Sequence, residues 1–326
     1  MNTDTRTYQF QAKSDIWTGS VQFKMKDSKP KEQIPRLIQT GLLGSIRWWF
    51  EVVVRGLGGG ACDPNKSVCK DTKHCVACEF FGCTGWARKF RFQVLDENGS
   101  IKESQIKKDD NFKLQFIPLR PVKDEEWALL DLTLRIISNY AALGGKTVFK
   151  PSDEKDHEDE KDHKKRSHHS DFGIIKFLPV EPQIRAFSKK DLETYVRGNQ
   201  WLNVKMKDFE WASFNYFWVV DEKYLSRQDK NKSTFNDVIG RKGPKFQSKY
   251  VNNDPFDKWL AGGTKESKKV FSFKNPPRTF GFINPKYEKQ FGEMLIRLKK
   301  AWPDMKDEEF MVGDGIFNSL LKGGNS

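Results

Sequence analysis

Residues 39–60, QTGLLGSIRWWFEVVVRGLGGG, decide how the rest of the chain is read. From just upstream, Ile34, Ile38, Leu42, Ile46, Trp49, Val53 and Leu57 recur at steps of three and four. That spacing places them on one stripe of an α-helix, the side that seeks a core. Arg47, Glu51 and Arg55 recur every four residues and share a second face, which continues back through Arg36 and Thr40. Trp48 lies between the two faces, one turn after Gly44. Glycine inside a helix costs about 1 kcal/mol relative to alanine. Gly41 and Gly44 therefore call for close approach of another backbone or of a ligand. A large aromatic beside an arginine at a glycine-bared helix edge suits the stacking of a base. The alternative is two core tryptophans and a solvated arginine face. Gly56 and the run Gly58 to Gly60 close the helix.

Working outward, Tyr8 to Val21 reads as a strand or strand pair, with Tyr8, Phe10 and Ala12 alternating with polar residues. Phe90, Phe92 and Val94 alternate in a second strand, and 112–119 (FKLQFIPL) in a third. Asp124 reads as the N-cap of a helix carrying Trp127, Leu130, Leu134, Ile137 and Ala141, closed by Gly144 and Gly145. Residues 172–180 (FGIIKFLPV) follow as a strand. Strand, helix, strand, strand, helix, strand is the ferredoxin-like βαββαβ order, the RRM-like arrangement, and it fills residues 1–180. Within it, 150–171 has almost no apolar residues and reads as a mobile charged insertion. In 181–326, Phe214 to Val220 reads as a buried strand, and Val270 to Phe273 and Arg278 to Ile283 as two more. Asn284 and Pro285 open a helix that Pro303 stops. The expected fold class is therefore α+β, with tandem ferredoxin-like domains of which the second is degraded.

Composition narrows the function classes. The chain has 326 residues and a net charge of +13. The insertion carries a net −2, which leaves +15 on the remainder. Such an excess favours a polyanion, most simply nucleic acid, held through phosphate contacts and counterion release. No run of 18 apolar residues occurs, the first residues are polar, and no basic amphipathic helix stands out. We expect a cytoplasmic protein with no membrane partner.

All five cysteines fall between Cys62 and Cys83, which is no secreted disulfide framework. Cys75 and Cys78 have the two-residue gap that lets two thiolates grip one zinc ion. No second such pair exists. We read reduced, partly buried thiols and no cofactor, with structural zinc on Cys62, Cys75, Cys78 and Cys83 as the alternative. Gly144-Gly145-Lys146-Thr147 lacks Walker A spacing but could offer N–H groups and a cation to phosphate; a helix C-cap accounts for its glycines as well. Arg88, Lys89 and Arg91 interleave with aromatics beside Trp86, a pattern that suits single-stranded nucleic acid or else a solvated strand edge. Catalysis finds little support. His157, His163, His168 and His169 lie in the insertion, His74 lies among the cysteines, and Asp314 has no evident partner.

Three stretches carry a family resemblance: IWTGS (16–20), GLLGSIRWWFEVVVRGLGG (41–59) and CVACEFFGCTGWARKFRF (75–92). They resemble the RAMP (repeat-associated mysterious protein) subunits at the head end of type III-B CRISPR, or Cmr, effector complexes. LGGKT and DFGIIKF are similar to that family's glycine-rich loop and closing strand, here split by the insertion. The resemblance implies a non-catalytic subunit that contacts the guide RNA 3′ region, the target RNA, or both, with other Cmr-complex subunits as partners. Carried position by position, it implies RNA contacts at Trp17, Thr18, Arg47, Trp48, Arg88, Lys89, Gly144, Gly145 and Lys146. The alternative is a guide-processing, metal-independent endoribonuclease on the same architecture, which would need a fixed acid–base group near the glycine loop.

Overall fold

The structure is a computed structural model. It describes residues 4–19, 36–62, 68–70, 73–144, 151–153, 170–178, 186–204, 209–229, 232–242, 249–250, 254–263, 267–286 and 290–321. Strands β1 (Arg6–Ala12), β2 (Phe90–Asp96), β3 (Asn111–Pro118) and β4 (Ile175–Phe177) form an antiparallel sheet in the order β2-β3-β1-β4. Alternation explains the buried side: Tyr8, Phe10, Phe90, Phe92, Phe112 and Phe116 all point inward. Phe10 stacks on Phe112 at 5.7 Å and meets Phe177 edge-on at 4.8 Å, so aromatic cross-strand pairs fix the register. Helices α1 (Gln39–Gly56) and α3 (Asp124–Tyr140) cover that side, with the short α2 (Val76–Phe81) between α1 and β2.

The ends of these elements differ from the sequence reading in instructive ways. Of the described part of 8–21, only Tyr8 to Ala12 is strand, and residues 13–19 leave the ladder, with Thr18 tied to the start of α1. Lys123, not Asp124, holds the cap position of α3: the Glu126 carboxylate reaches back to the Lys123 N–H at 2.9 Å. The last turn of α3 ends at Tyr140, before the glycines. Its orphan carbonyls on Ser138 and Ala141 accept from the Arg278 guanidinium at 3.0 and 3.1 Å. Most of the insertion lies outside the described residues. Its two ends tie to the second half, where the Asp153 N–H donates to Arg227 O and Asp171 accepts from the Lys274 N–H.

After helix α4 (Lys189–Val196), the second half repeats the plan. Strands β5 (Phe217–Asp221), β8 (Val270–Lys274), β9 (Pro277–Phe282) and β10 (Met311–Val312) are antiparallel in the order β10-β5-β9-β8. With each half's strands counted first to fourth, both sheets run fourth, first, third, second: the ferredoxin-like arrangement, twice. The second copy is eroded. Its first helix is broken into α5 (Thr234–Val238) and α6 (Pro255–Ala261), with the small pair β6 (Arg241–Lys242) and β7 (Lys249–Tyr250) between them. Its closing strand has two residues, followed by α8 (Gly313–Leu321); neither was expected from sequence. Its second helix, α7 (Gln290–Ala301), ends just before Pro303, as expected.

The continuous apolar run in β5 follows from burial on both sides. Phe217 and Val219 face α1, together with Phe280 and Phe282 of β9. Trp218 and Val220 face the opposite side, with Phe235, Phe256, Met294 and Leu298 from α5, α6 and α7. The first helix therefore lies between the two sheets. Trp49 packs edge-on against Phe217 and Phe280, stacks on Phe282, and donates its indole N–H to Ala142 O at 3.0 Å. Trp49 is core, as its place on the apolar stripe requires.

Candidate nucleic-acid interface

Three segments far apart in sequence meet at the N-terminal end of α1. The Thr18 hydroxyl accepts the Ile38 N–H at 2.8 Å, which ties the 15–19 segment to the helix start. A Cβ added at Gly41 would lie 2.7 Å from Thr18 O, so Gly41 is bare because another backbone runs against it. Gly144 (φ +117°) donates its N–H to the Ser45 hydroxyl at 3.0 Å, and a Cβ there would lie 2.7 Å from Trp17 O. Gly44 is different. It is exposed, and an added Cβ would meet nothing within 4 Å among the described residues. This one helical glycine keeps a strip of α1 backbone bare toward open space, bordered by Ser45 and, one turn on, by Trp48. Trp48 is half-buried, its ring edge-on to Trp49 at 4.8 Å and to Phe282 at 5.8 Å. Trp17 is also half-buried, against Phe172 at 5.9 Å. Thr18 is buried by its capping role. Gly145 and Lys146 lie outside the described residues.

Two cations expected at the RNA surface are used inside the protein. The face shared by Arg47, Glu51 and Arg55 meets other protein rather than solvent. Arg47 donates from Nε to Glu51 at 2.8 Å, from Nη1 to Gly82 O at 2.7 Å, and from Nη2 to Cys78 Sγ at 3.3 Å. Arg55 donates to the carbonyls of Ala212, Ala61 and Cys62. Glu51 between them is fully buried; burial pushes its carboxyl up to about 7, against the opposing pull of Arg47 and Arg55. Three of the five guanidinium N–H donors are thus used within the protein, and Arg47 positions α2 against α1. Lys89 is 7 % exposed, and its ammonium sits between Glu126, at 2.8 and 3.1 Å, and Glu79, at 3.0 Å. Burial raises the Glu126 carboxyl, and Lys89 opposes that rise. Removing Lys89 to bind RNA would leave a buried carboxylate unpaired, so the fold holds it in place. Arg88 stands half-exposed before β2. Arg91 is exposed on β2, and Arg120 lies 4.3 Å over the Trp86 ring with its guanidinium on Ala87 O. Arg120 was missed in the sequence because its aromatic partner is 34 residues away.

The cysteines gather more tightly than their spacing suggested. The sulfurs of Cys62, Cys69, Cys75 and Cys78 all lie within 4.8 Å of one another, and all four residues are buried. Cys83, expected in the set, stands outside that group and is half-exposed in a turn where it and Trp86 exchange backbone hydrogen bonds at 2.9 Å. Cys69 takes its place. Hydrogen bonds from Cys62, Cys69 and Cys78 hold the Cys75 thiol well below the ordinary range, while those to Cys75 and burial push Cys69 up. His74, next in sequence, packs on Trp86 at 4.6 Å and pairs with Glu79 at 3.1 Å, away from any open edge. Asp314 has a partner after all, the Lys189 ammonium, and also accepts from Asn318.

Two repeated βαββαβ units with a bare glycine edge on the first helix define a tandem ferredoxin-like protein with a candidate nucleic-acid surface. The family model of the RAMP superfamily matches residues 9–149. Among solved structures the chain is similar to Cmr1 from Pyrococcus furiosus (apo form) at 10 % identity, covering 98 % of this chain and 97 % of that one with a TM-score of 0.39. It is also similar to the Csm3-Csm4 subcomplex in the type III-A CRISPR-Cas interference complex at 12 % identity, covering 53 % of this chain and 74 % of that one with a TM-score of 0.27. No curated protein sequence matches it. Among the described residues, no helix is long and apolar enough to cross a membrane.

Proposed function

We propose that this chain is a non-catalytic RNA-binding subunit of a type III-B CRISPR (Cmr) effector complex, acting in the cytoplasm beside the guide and target RNA. Its partners would be those RNAs and the other Cmr subunits. The domains would divide near residue 180, into 1–180 and 181–326. The observation that carries the reading is the Gly44 edge. A helix keeps a glycine there at a cost of about 1 kcal/mol although, among the described residues, no protein atom needs the space. A ligand backbone running along α1 between Trp48 and the Gly144 turn accounts for that cost. The excess of +15 outside the insertion supplies the long-range attraction for a polyanion. A non-catalytic role fits His74, which is buried and held by Trp86 and Glu79 where no substrate can reach it.

Filter binding of the full chain to single-stranded RNA and to a guide–target duplex, across a salt series, tests the proposal. The expected result is an affinity that falls steeply with salt, by a log–log slope of about −0.7 for each phosphate neutralised on a single strand. An affinity indifferent to salt overturns RNA binding. Site-specific cleavage of repeat RNA without metal overturns the non-catalytic part and favours the endoribonuclease.

A further inference from the structure

We propose that Cys62, Cys69, Cys75 and Cys78 form a structural zinc site with four thiolate ligands. Zinc–sulfur bonds of about 2.3 Å in a tetrahedron place the sulfurs roughly 3.8 Å apart. Here Cys62 and Cys69 stand 3.3 Å apart, and no pair in the set exceeds 4.8 Å. Shifts of under an ångström per side chain bring the four into coordination. Buried cysteines that merely fill space behave as small apolar side chains, with no reason to converge on one point. Four of them here come from three segments: the loop after α1, the stretch before α2, and the first turn of α2.

What surrounds the sulfurs makes the second, independent argument. The Cys75 N–H donates to Cys69 Sγ at 3.1 Å, the Cys78 N–H to Cys75 Sγ at 3.5 Å, and the Arg47 guanidinium to Cys78 Sγ at 3.3 Å. Two amides and a cation aimed at sulfur suit thiolates, because a neutral thiol is a weak acceptor. A tetrathiolate zinc centre carries a net −2 in a buried place, and a neighbouring guanidinium offsets part of it. Arg55 fixes the same centre from the other end by holding the carbonyls of Ala61 and Cys62. The buried ladder of Arg47, Glu51 and Arg55 is thus the outer shell of a metal site as much as a brace for α1. Bound zinc would clamp the loop after α1 to α2, and binding would release the thiol protons.

The full chain, purified without chelator, should contain about one zinc ion by elemental analysis. Replacing zinc with cobalt should give the thiolate-to-cobalt charge-transfer band and the red d–d bands of tetrahedral sulfur coordination. The cobalt spectrum is read on the unaltered chain, so it does not depend on variants that fold. Cys83→Ser should keep the metal and Cys69→Ser should lose it. The reverse pattern overturns this ligand set. A folded chain that takes up neither zinc nor cobalt, or that shows a Cys62–Cys69 disulfide by mass spectrometry, overturns the site itself.

Discussion

Gly41 and Gly44 sit three residues apart on one helix, yet the structure requires opposite responses to the same substitution. At Gly44 an added methyl meets nothing within 4 Å. Gly44→Ala then gains helix propensity and narrows the unfolded ensemble, and should stabilise the protein by about 1 kcal/mol. At Gly41 the same methyl lies 2.7 Å from Thr18 O, a backbone atom anchored by the Thr18–Ile38 bond. Gly41→Ala should destabilise, because overpacking costs roughly 1–3 kcal/mol and outweighs the propensity gain. Equilibrium urea unfolding of the two variants reads both signs. The functional half uses the same position: Gly44→Glu adds bulk and negative charge to the bare strip. It should weaken RNA binding at least tenfold, about 1.4 kcal/mol, with the fold intact. A destabilising Gly44→Ala would mean that the folded protein covers this strip itself. RNA affinity unchanged in Gly44→Glu would remove the strip from the interface.

Lys89→Met should cost about 3–5 kcal/mol, because Glu126 is left buried and unpaired, and its salt slope for RNA should match the parent's; loss of one phosphate contact in that slope would restore Lys89 to the RNA surface. The Glu51 carboxyl, raised from 4.5 to about 7, holds its proton more tightly in the folded state. Its contribution therefore makes stability fall as pH rises from about 4.5 to about 7, by about 3 kcal/mol in all, and not beyond. Comparing Glu51→Gln with the parent across that window isolates the term, since the variant lacks it. Arg278→Ala frees the Ser138 and Ala141 carbonyls and should cost about 2–4 kcal/mol, with faster hydrogen exchange at the end of α3 and along β9.

The periods in the sequence report which residues share a face, and they did so correctly here. The stripe from Leu42 through Trp49 to Val53 is core, and the alternations at 8–12, 90–94 and 112–116 are the inward sides of β1, β2 and β3. What a period cannot report is what the face meets. Arg47, Glu51 and Arg55 share a face as their spacing requires, but that face looks toward α2, the cysteine loop and residue Ala212 of the other half. A polar stripe becomes buried only when every donor finds an acceptor, and most of those acceptors here are carbonyls 6–157 residues away. No local pattern encodes them. The second sheet was legible only in pieces for a related reason. Its strand β5 reads as uniformly apolar because α1, from the other half, supplies one of its two covers.

The cysteines and the glycines carry the same lesson in opposite directions. The sequence reading set Cys83 beside Cys62, Cys75 and Cys78, yet the cluster of four sulfurs that all lie within 4.8 Å of one another includes Cys69 and not Cys83. Cys69 joins it because the backbone before α2 folds back, its sulfur receiving the Cys75 N–H. With the glycines the sequence posed the right question, a close backbone or a ligand, but could not assign the answers. The structure divides them: Gly41 and Gly144 answer to the 16–19 backbone, and Gly44 answers to nothing among the described residues. On a helix otherwise largely buried and braced by internal ion pairs, Thr40 and Gly44 are exposed. At Gly44 the backbone itself is bare among the described residues, so this edge of α1 is where the helix offers a surface to something other than this protein.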